Sequence, residues 1–126
     1  MKFKINKEDR YTILNLEEDN LNTMLAPELK SQFVIMRNEG VQNLILDLSA
    51  VKFVDSSGLS AILTANRLWS GEGTFVLTGV EHSAVKKLIE ISRVNTVLTI
   101  LPTLSESIDF VMMEEIEREL NQGDDE

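Results

Sequence analysis

Asp55, Ser56, Ser57 and Gly58 stand where an apolar stretch, Leu46 to Val54, gives way to an amphipathic one that begins at Leu59. A serine at a strand-to-helix junction is exposed and lies at the positive end of a helix dipole. Its hydroxyl can therefore accept a phosphoryl group, and the free N–H groups of the first turn stabilise the resulting anion. Either Asp55 or Ser56 suits the helix cap, because each side-chain oxygen can accept a first-turn N–H, an interaction of about 1 kcal/mol. Capping alone accounts for both residues. Gly58 needs a further reason, since glycine in the first turn costs a helix roughly 1 kcal/mol relative to alanine. Close approach of a partner's backbone is one such reason.

Other chemistries fare worse. His82 is the single histidine, and with Ser56 and an acid it would make a hydrolase triad. However, the chain has no Gly-x-Ser-x-Gly elbow, and His82 falls at a helix start, where a surface or capping role suits it better. Gly71-Glu72-Gly73 is too short and wrongly placed for a phosphate loop and reads as a turn before a strand. The absence of cysteine excludes disulfides, a thiol nucleophile and a cysteine-ligated zinc, and one histidine excludes a histidine-rich metal site. Trp69 reads as packing at a helix end, and Lys86 and Lys87 as solvated.

The elements that must position the junction follow from periodicity. Residues 2 to 7 and 10 to 16 predict an opening hairpin around Glu8-Asp9. Leu25, Leu29, Phe33 and Met36 share one side of a helix that stops near Gly40, with Pro27 in or near its first turn. Val41 to Leu48 contains Leu44-Ile45-Leu46, the continuous apolar run of a strand covered on both faces. Ser49 to Val54 reads as a crossing loop. Leu59, Ile62, Leu63 and Trp69 then mark a second helix, Thr74 to Thr78 a strand, and Val85, Leu88, Ile89 and Ser92 a third helix. Val97 to Leu101 is expected to be the last strand. Thr103 and Glu106 fit a capping box, followed by a terminal helix lined by Leu104, Ile108, Val111, Met112, Ile116 and Leu120. The order β-β-α-β-α-β-α-β-α implies a single α/β domain with a small mixed sheet of about five strands and helices packed on it.

At 126 residues, 43% hydrophobic and 26% charged, one globular domain is expected. No run approaches the roughly 18 apolar residues of a membrane span, and the start lacks a signal peptide's apolar core, which implies a cytoplasmic protein without membrane insertion. The net charge of -9 is unevenly spread. Residues 1 to 105 hold 11 basic against 12 acidic residues, whereas 106 to 126 hold Arg118 alone against nine acids. This acidity reads as a solvated helix face and tail, with docking on a basic partner as the alternative. No clustered basic surface is present to neutralise phosphates, so direct nucleic-acid binding is not expected.

The run Leu44 to Leu63, LILDLSAVKFVDSSGLSAIL, followed by Thr74-Phe-Val-Leu-Thr-Gly and Val85-Lys-Lys-Leu-Ile-Glu-Ile-Ser, resembles STAS domains of the bacterial anti-anti-sigma factor type. The resemblance spans most of residues 3 to 112, so residues 1–112 are taken as the domain and 113–126 as a continuation of the last helix and an acidic tail. It implies a non-enzymatic protein that needs no cofactor and works by partner switching in transcription control. It would bind an anti-sigma factor that is also a serine kinase, be released on phosphorylation, and be reset by a serine phosphatase. The nucleotide and magnesium belong to the kinase. The acceptor in the family motif is the serine after the aspartate, which corresponds to Ser56, with Asn22, Asp55, Ser57 and Gly58 as further partner-binding positions. Many members carry Gly-Glu-Leu-Asp before the first helix, where this chain has Asp19-Asn20-Leu21-Asn22. Asn22 can cap a helix there but lacks the charge for an ion pair. The alternative implied by the resemblance is a scaffold or transporter-associated STAS subunit without a phosphoswitch.

Overall fold

Residues 1–124 are described by the structure, a computed structural model. In chain order the elements are β1 (Phe3–Lys7), β2 (Thr12–Leu16), β3 (Asn20–Leu21), α1 (Ala26–Asn38), β4 (Asn43–Asp47), β5 (Phe53–Val54), α2 (Ser56–Trp69), β6 (Thr74–Thr78), α3 (Ser83–Ser92), β7 (Thr99–Leu101) and α4 (Leu104–Asp124). β1 and β2 make the expected antiparallel hairpin, with Phe3 opposite Leu16. β2, β4, β6 and β7 then run parallel, in the spatial order β1-β2-β4-β6-β7.

Alternation along the parallel strands divides the interior in two. Leu14, Leu44, Leu46, Phe75 and Leu77 face α1 and α2, where Leu29, Phe33, Met36, Ala61, Ile62 and Trp69 complete the larger core. Ile13, Ile45 and Val76 face the other way, against Val111 of α4. The sheet is therefore covered on both faces, which explains why Leu44-Ile45-Leu46 has no polar break. Trp69 stacks on Phe75 and meets Phe33 edge-on, and its indole N–H donates to the Val41 carbonyl at 2.9 Å. α1 ends as expected near Gly40, whose φ of 93° lies in the left-handed region that favours glycine.

Several expectations need correction. Ser49 to Val54 is not only a loop: Phe53–Val54 pairs in parallel with Asn20–Leu21 as a separate two-stranded sheet. The last strand is shorter than Val97 to Leu101, because Arg93 turns left-handed and Val94–Thr96 forms a 3-10 turn that leaves Val97 61% exposed. The capping box is half made: the Thr103 hydroxyl accepts the Glu106 N–H at 3.1 Å. His82 precedes α3 without a side-chain cap bond.

α4 departs furthest from its expected apolar line. Val111 is buried, but Leu104, Ile116 and Leu120 are exposed. Beyond Met112 the helix is held by polar contacts instead. Arg118 donates to Asn43 Oδ1 at 2.7 Å, Thr74 Oγ1 at 3.0 Å and Glu115 Oε2 at 2.7 Å. Arg10 pairs with Glu119 at 2.8 Å. The Glu115 carboxyl is held below its usual range, chiefly by its hydrogen bond from Arg118. The final two acids of the expected tail, Asp125 and Glu126, lie outside the described residues.

Candidate functional site

The Leu21 carbonyl accepts the Asp55 N–H at 3.1 Å, so the small β3–β5 sheet delivers the chain to the start of α2 at the carboxyl edge of the parallel strands. Asp55, not Ser56, is the cap: its Oδ1 accepts the Gly58 N–H at 2.9 Å. Ser56 and Ser57 are then the first two helical residues. The second carboxylate oxygen of Asp55 accepts the Thr23 N–H at 3.1 Å and the Thr23 hydroxyl at 3.3 Å. Thr23 Oγ1 also lies 3.1 Å from Ser57 Oγ. One aspartate thus ties the loop before α1 to the start of α2.

These contacts distinguish the two serines. Ser57 is half-buried with its hydroxyl engaged by Thr23, whereas Ser56 is exposed and its hydroxyl has no hydrogen-bond partner among the described residues. Ser56 is therefore the hydroxyl open to an incoming group.

Gly58 is buried, and its steric purpose lies inside the fold. A Cβ there would press into the Leu21 carbonyl oxygen and lie 2.8 Å from Leu21 Cγ and 3.0 Å from Val54 Cγ1. Reading Gly58 as room for a partner's backbone is corrected accordingly, since β3 already occupies that space. Asn22 directly precedes Thr23 in the loop before α1 but is not the cap of that helix. Its side chain accepts the Met24 N–H at 3.0 Å, and its carbonyl accepts the Leu25 and Ala26 N–H groups.

Three residues of this surface escaped the sequence reading. Thr23 is the link between Asp55 and Ser57, and its role is purely tertiary. Met24 is 81% exposed beside it, and Phe53, two residues before the cap, is 58% exposed. Met24 carries a faint signal, since it is a large apolar residue off the Leu25-Leu29-Phe33-Met36 line. Phe53 carries none, because it continues the apolar stretch of Val51 and Val54.

The Asp55 carboxyl is held below its ordinary 3.8, chiefly by the Gly58 N–H and, against some desolvation, by Thr23 and the Ser57 N–H. Because the folded pKa lies below the unfolded one, the stability this group contributes is complete above pH 3.8 and is lost as the pH falls through the folded value. Asp55→Ala is thus expected to lower the melting temperature at neutral pH. The gap to the parent protein should close in stronger acid, and a gap independent of pH would show that the carboxylate charge plays no part.

The STAS domain profile matches residues 2–107. No match to the sequence is found among curated proteins. In solved structures the chain is similar to an anti-sigma factor antagonist from Mycobacterium paratuberculosis, at 20% identity and a TM-score of 0.80, over 88% of this chain and 93% of that one. It is similar to a putative anti-sigma factor antagonist from Thermotoga maritima at 25% identity and a TM-score of 0.75, over 87% and 94%. The Bacillus anti-sigma factor antagonist SpoIIAA matches at 20% identity in both its unphosphorylated form, with a TM-score of 0.73 over 88% and 96%, and its phosphorylated form, at 0.65 over 87% and 99%.

Proposed function

This chain belongs to the STAS domain family, and from that premise we propose that it is an anti-sigma factor antagonist whose grip on a kinase-type anti-sigma factor is switched by phosphorylation of Ser56. The observation that carries the reading is the contrast at the start of α2: Ser56 is exposed with a free hydroxyl, while its neighbour Ser57 is tied to Thr23. The structural likeness to a protein known in phosphorylated and unphosphorylated forms supports it.

In this reading the partner docks over Ser56, Asp55, Ser57 and Asn22, with the exposed Met24 and Phe53 as apolar anchors. The kinase transfers the γ-phosphoryl group of its own ATP to Ser56 Oγ. A phosphorus–oxygen bond to serine forms, the bond to the leaving ADP breaks, and the hydroxyl proton leaves to solvent or to a base of the kinase. Inside the domain the new anion stands at the positive end of the α2 dipole, which stabilises it by typically 0.3 to 1 kcal/mol. Within a packed interface the same charge of about -1.5 to -2 must be desolvated beside the ionised Asp55, and docking fails. A serine phosphatase restores the hydroxyl. No helix among the described residues is long and apolar enough to cross a membrane, and the protein is proposed to act in the cytoplasm.

The test is affinity capture by the purified protein from a bacterial extract, followed by incubation of the captured complex with ATP and mass spectrometry of the Asp55 peptide. The expected result is one phosphate on Ser56 and dissociation of the complex. Capture of a transporter subunit with no phosphorylation would replace this reading with the scaffold role.

A further inference from the structure

Val111 points from α4 into the sheet, against Ile13, Ile45 and Val76. On the opposite side of that helix, Met113, Ile116 and Leu120 recur at spacings of three and four and are 59%, 43% and 64% exposed. Glu106, Asp109 and Glu117, all exposed, share this outer side at helical spacing. The outer side is thus an apolar strip within an acidic border.

We propose that this outer face of α4 docks a basic amphipathic helix of a protein partner, at a site separate from Ser56. Charge selects the occupant. The only basic side chain from residue 106 to 126 is Arg118, and it is turned inward onto Asn43, Thr74 and Glu115. Every charge that α4 itself sets beside the strip is therefore negative, which attracts a helix carrying Lys or Arg around apolar residues and repels a second copy of this chain. The strip is also held in place: the Arg118 bonds to Asn43 and Thr74 and the Arg10–Glu119 pair fix the helix where its apolar contact with the sheet has ended. Such anchoring keeps Ile116 and Leu120 presented as a helical surface and reduces the ordering cost of docking. The strip lies beyond residue 107, where the STAS domain match ends. Finally, α4 covers the sheet face opposite α1 and α2, so a partner there and a partner at Ser56 can be bound together. The inference stands whether or not Ser56 is a switch.

The test uses the full chain and a fluorescein-labelled synthetic helix with Leu on one face and Lys on the other, at about 0.15 M salt, where surface charges farther apart than about 8 Å are largely screened. Two control peptides replace Leu by Ser or Lys by Glu. The expected result is binding of the Leu/Lys helix at least about tenfold tighter than either control. Ile116→Ser with Leu120→Ser, or Asp109→Lys with Glu117→Lys, should each weaken that binding about tenfold, with helicity and melting temperature unchanged because these side chains face solvent. Equal binding of the Ser/Lys peptide, or no effect of the two serine substitutions, would overturn the proposal by reducing the face to a generic acidic surface. A concentration-dependent dimer in sedimentation that the serine substitutions abolish would overturn it too, by making a second copy the occupant.

Discussion

Ser56→Glu is expected to weaken binding of the anti-sigma partner by about a hundredfold or more, equivalent to roughly 2.8 kcal/mol at about 1.4 kcal/mol per factor of ten, while Ser56→Ala binds within about threefold of the parent protein. The size follows from where the charge would stand. Ser56 is the first residue of α2, directly after Asp55, whose carboxylate is kept ionised by its contacts with Gly58, Thr23 and Ser57. A second anion in a docked interface lies against that carboxylate and loses its water, and such like-charge juxtaposition costs several kcal/mol unless the partner supplies cations. The free domain carries no comparable penalty, since an acid at the first turn is favoured by the helix dipole and the side chain faces solvent. The melting temperature of Ser56→Glu should therefore stay within a few degrees of the parent, and this separates a binding defect from a folding one. Ser57→Ala is the sharper control, because it removes a hydroxyl already occupied by Thr23 and should leave phosphorylation at Ser56 intact. Titration of the purified partner against the three variants reads all of this, and equal affinity for the Glu and Ala forms would end the switch reading.

How far the sequence reveals this site depends on how local each interaction is. The strand at Leu44 to Leu46 and the helix carrying Leu29, Phe33 and Met36 were legible because their periodicity is contained within the segment itself. The cap was legible only as a choice between Asp55 and Ser56, and the bond from the Gly58 N–H, three residues on, gives it to Asp55. The β3–β5 pair was not legible, because two residues make no period and their partners are 33 positions away, as in Asn20 opposite Phe53. The same holds for Thr23, whose bonds to Asp55 and Ser57 span 32 and 34 positions. α4 misleads for a different reason. Steps of four from Met112 carry the apolar line around the helix, so Ile116 and Leu120 fall on the side away from Val111, while the sheet-facing side continues through Glu115 and Arg118, which bond Asn43 and Thr74.

Gly58→Ala is expected to destabilise the domain by about 2 kcal/mol, against the usual direction for such a change in a helix. Alanine is favoured over glycine within a helix by roughly 1 kcal/mol, so helix propensity alone predicts a gain. The added methyl group, however, points at the Leu21 carbonyl and would lie 2.8 Å from Leu21 Cγ and 3.0 Å from Val54 Cγ1. Leu21 is fully buried, and its carbonyl is already used by the Asp55 N–H, so neither backbone nor side chain can yield without a loss elsewhere. Overpacking of this kind costs typically 1 to 3 kcal/mol, and a displaced β3 also weakens the Asp55 bond, which together outweigh the propensity gain. Urea unfolding should show a lower midpoint at an unchanged slope. A second readout ties the glycine to the site: if β3 moves away, Thr23 moves with it, and Asp55 loses two of the donors that depress its pKa. The Asp55 carboxyl, followed by NMR through an acid titration, should then rise toward its ordinary 3.8. A variant as stable as the parent, with an unmoved Asp55 titration, would mean that β3 gives way freely, and that the close packing of Leu21 on α2 does not hold the Asp55–Thr23–Ser57 cluster together.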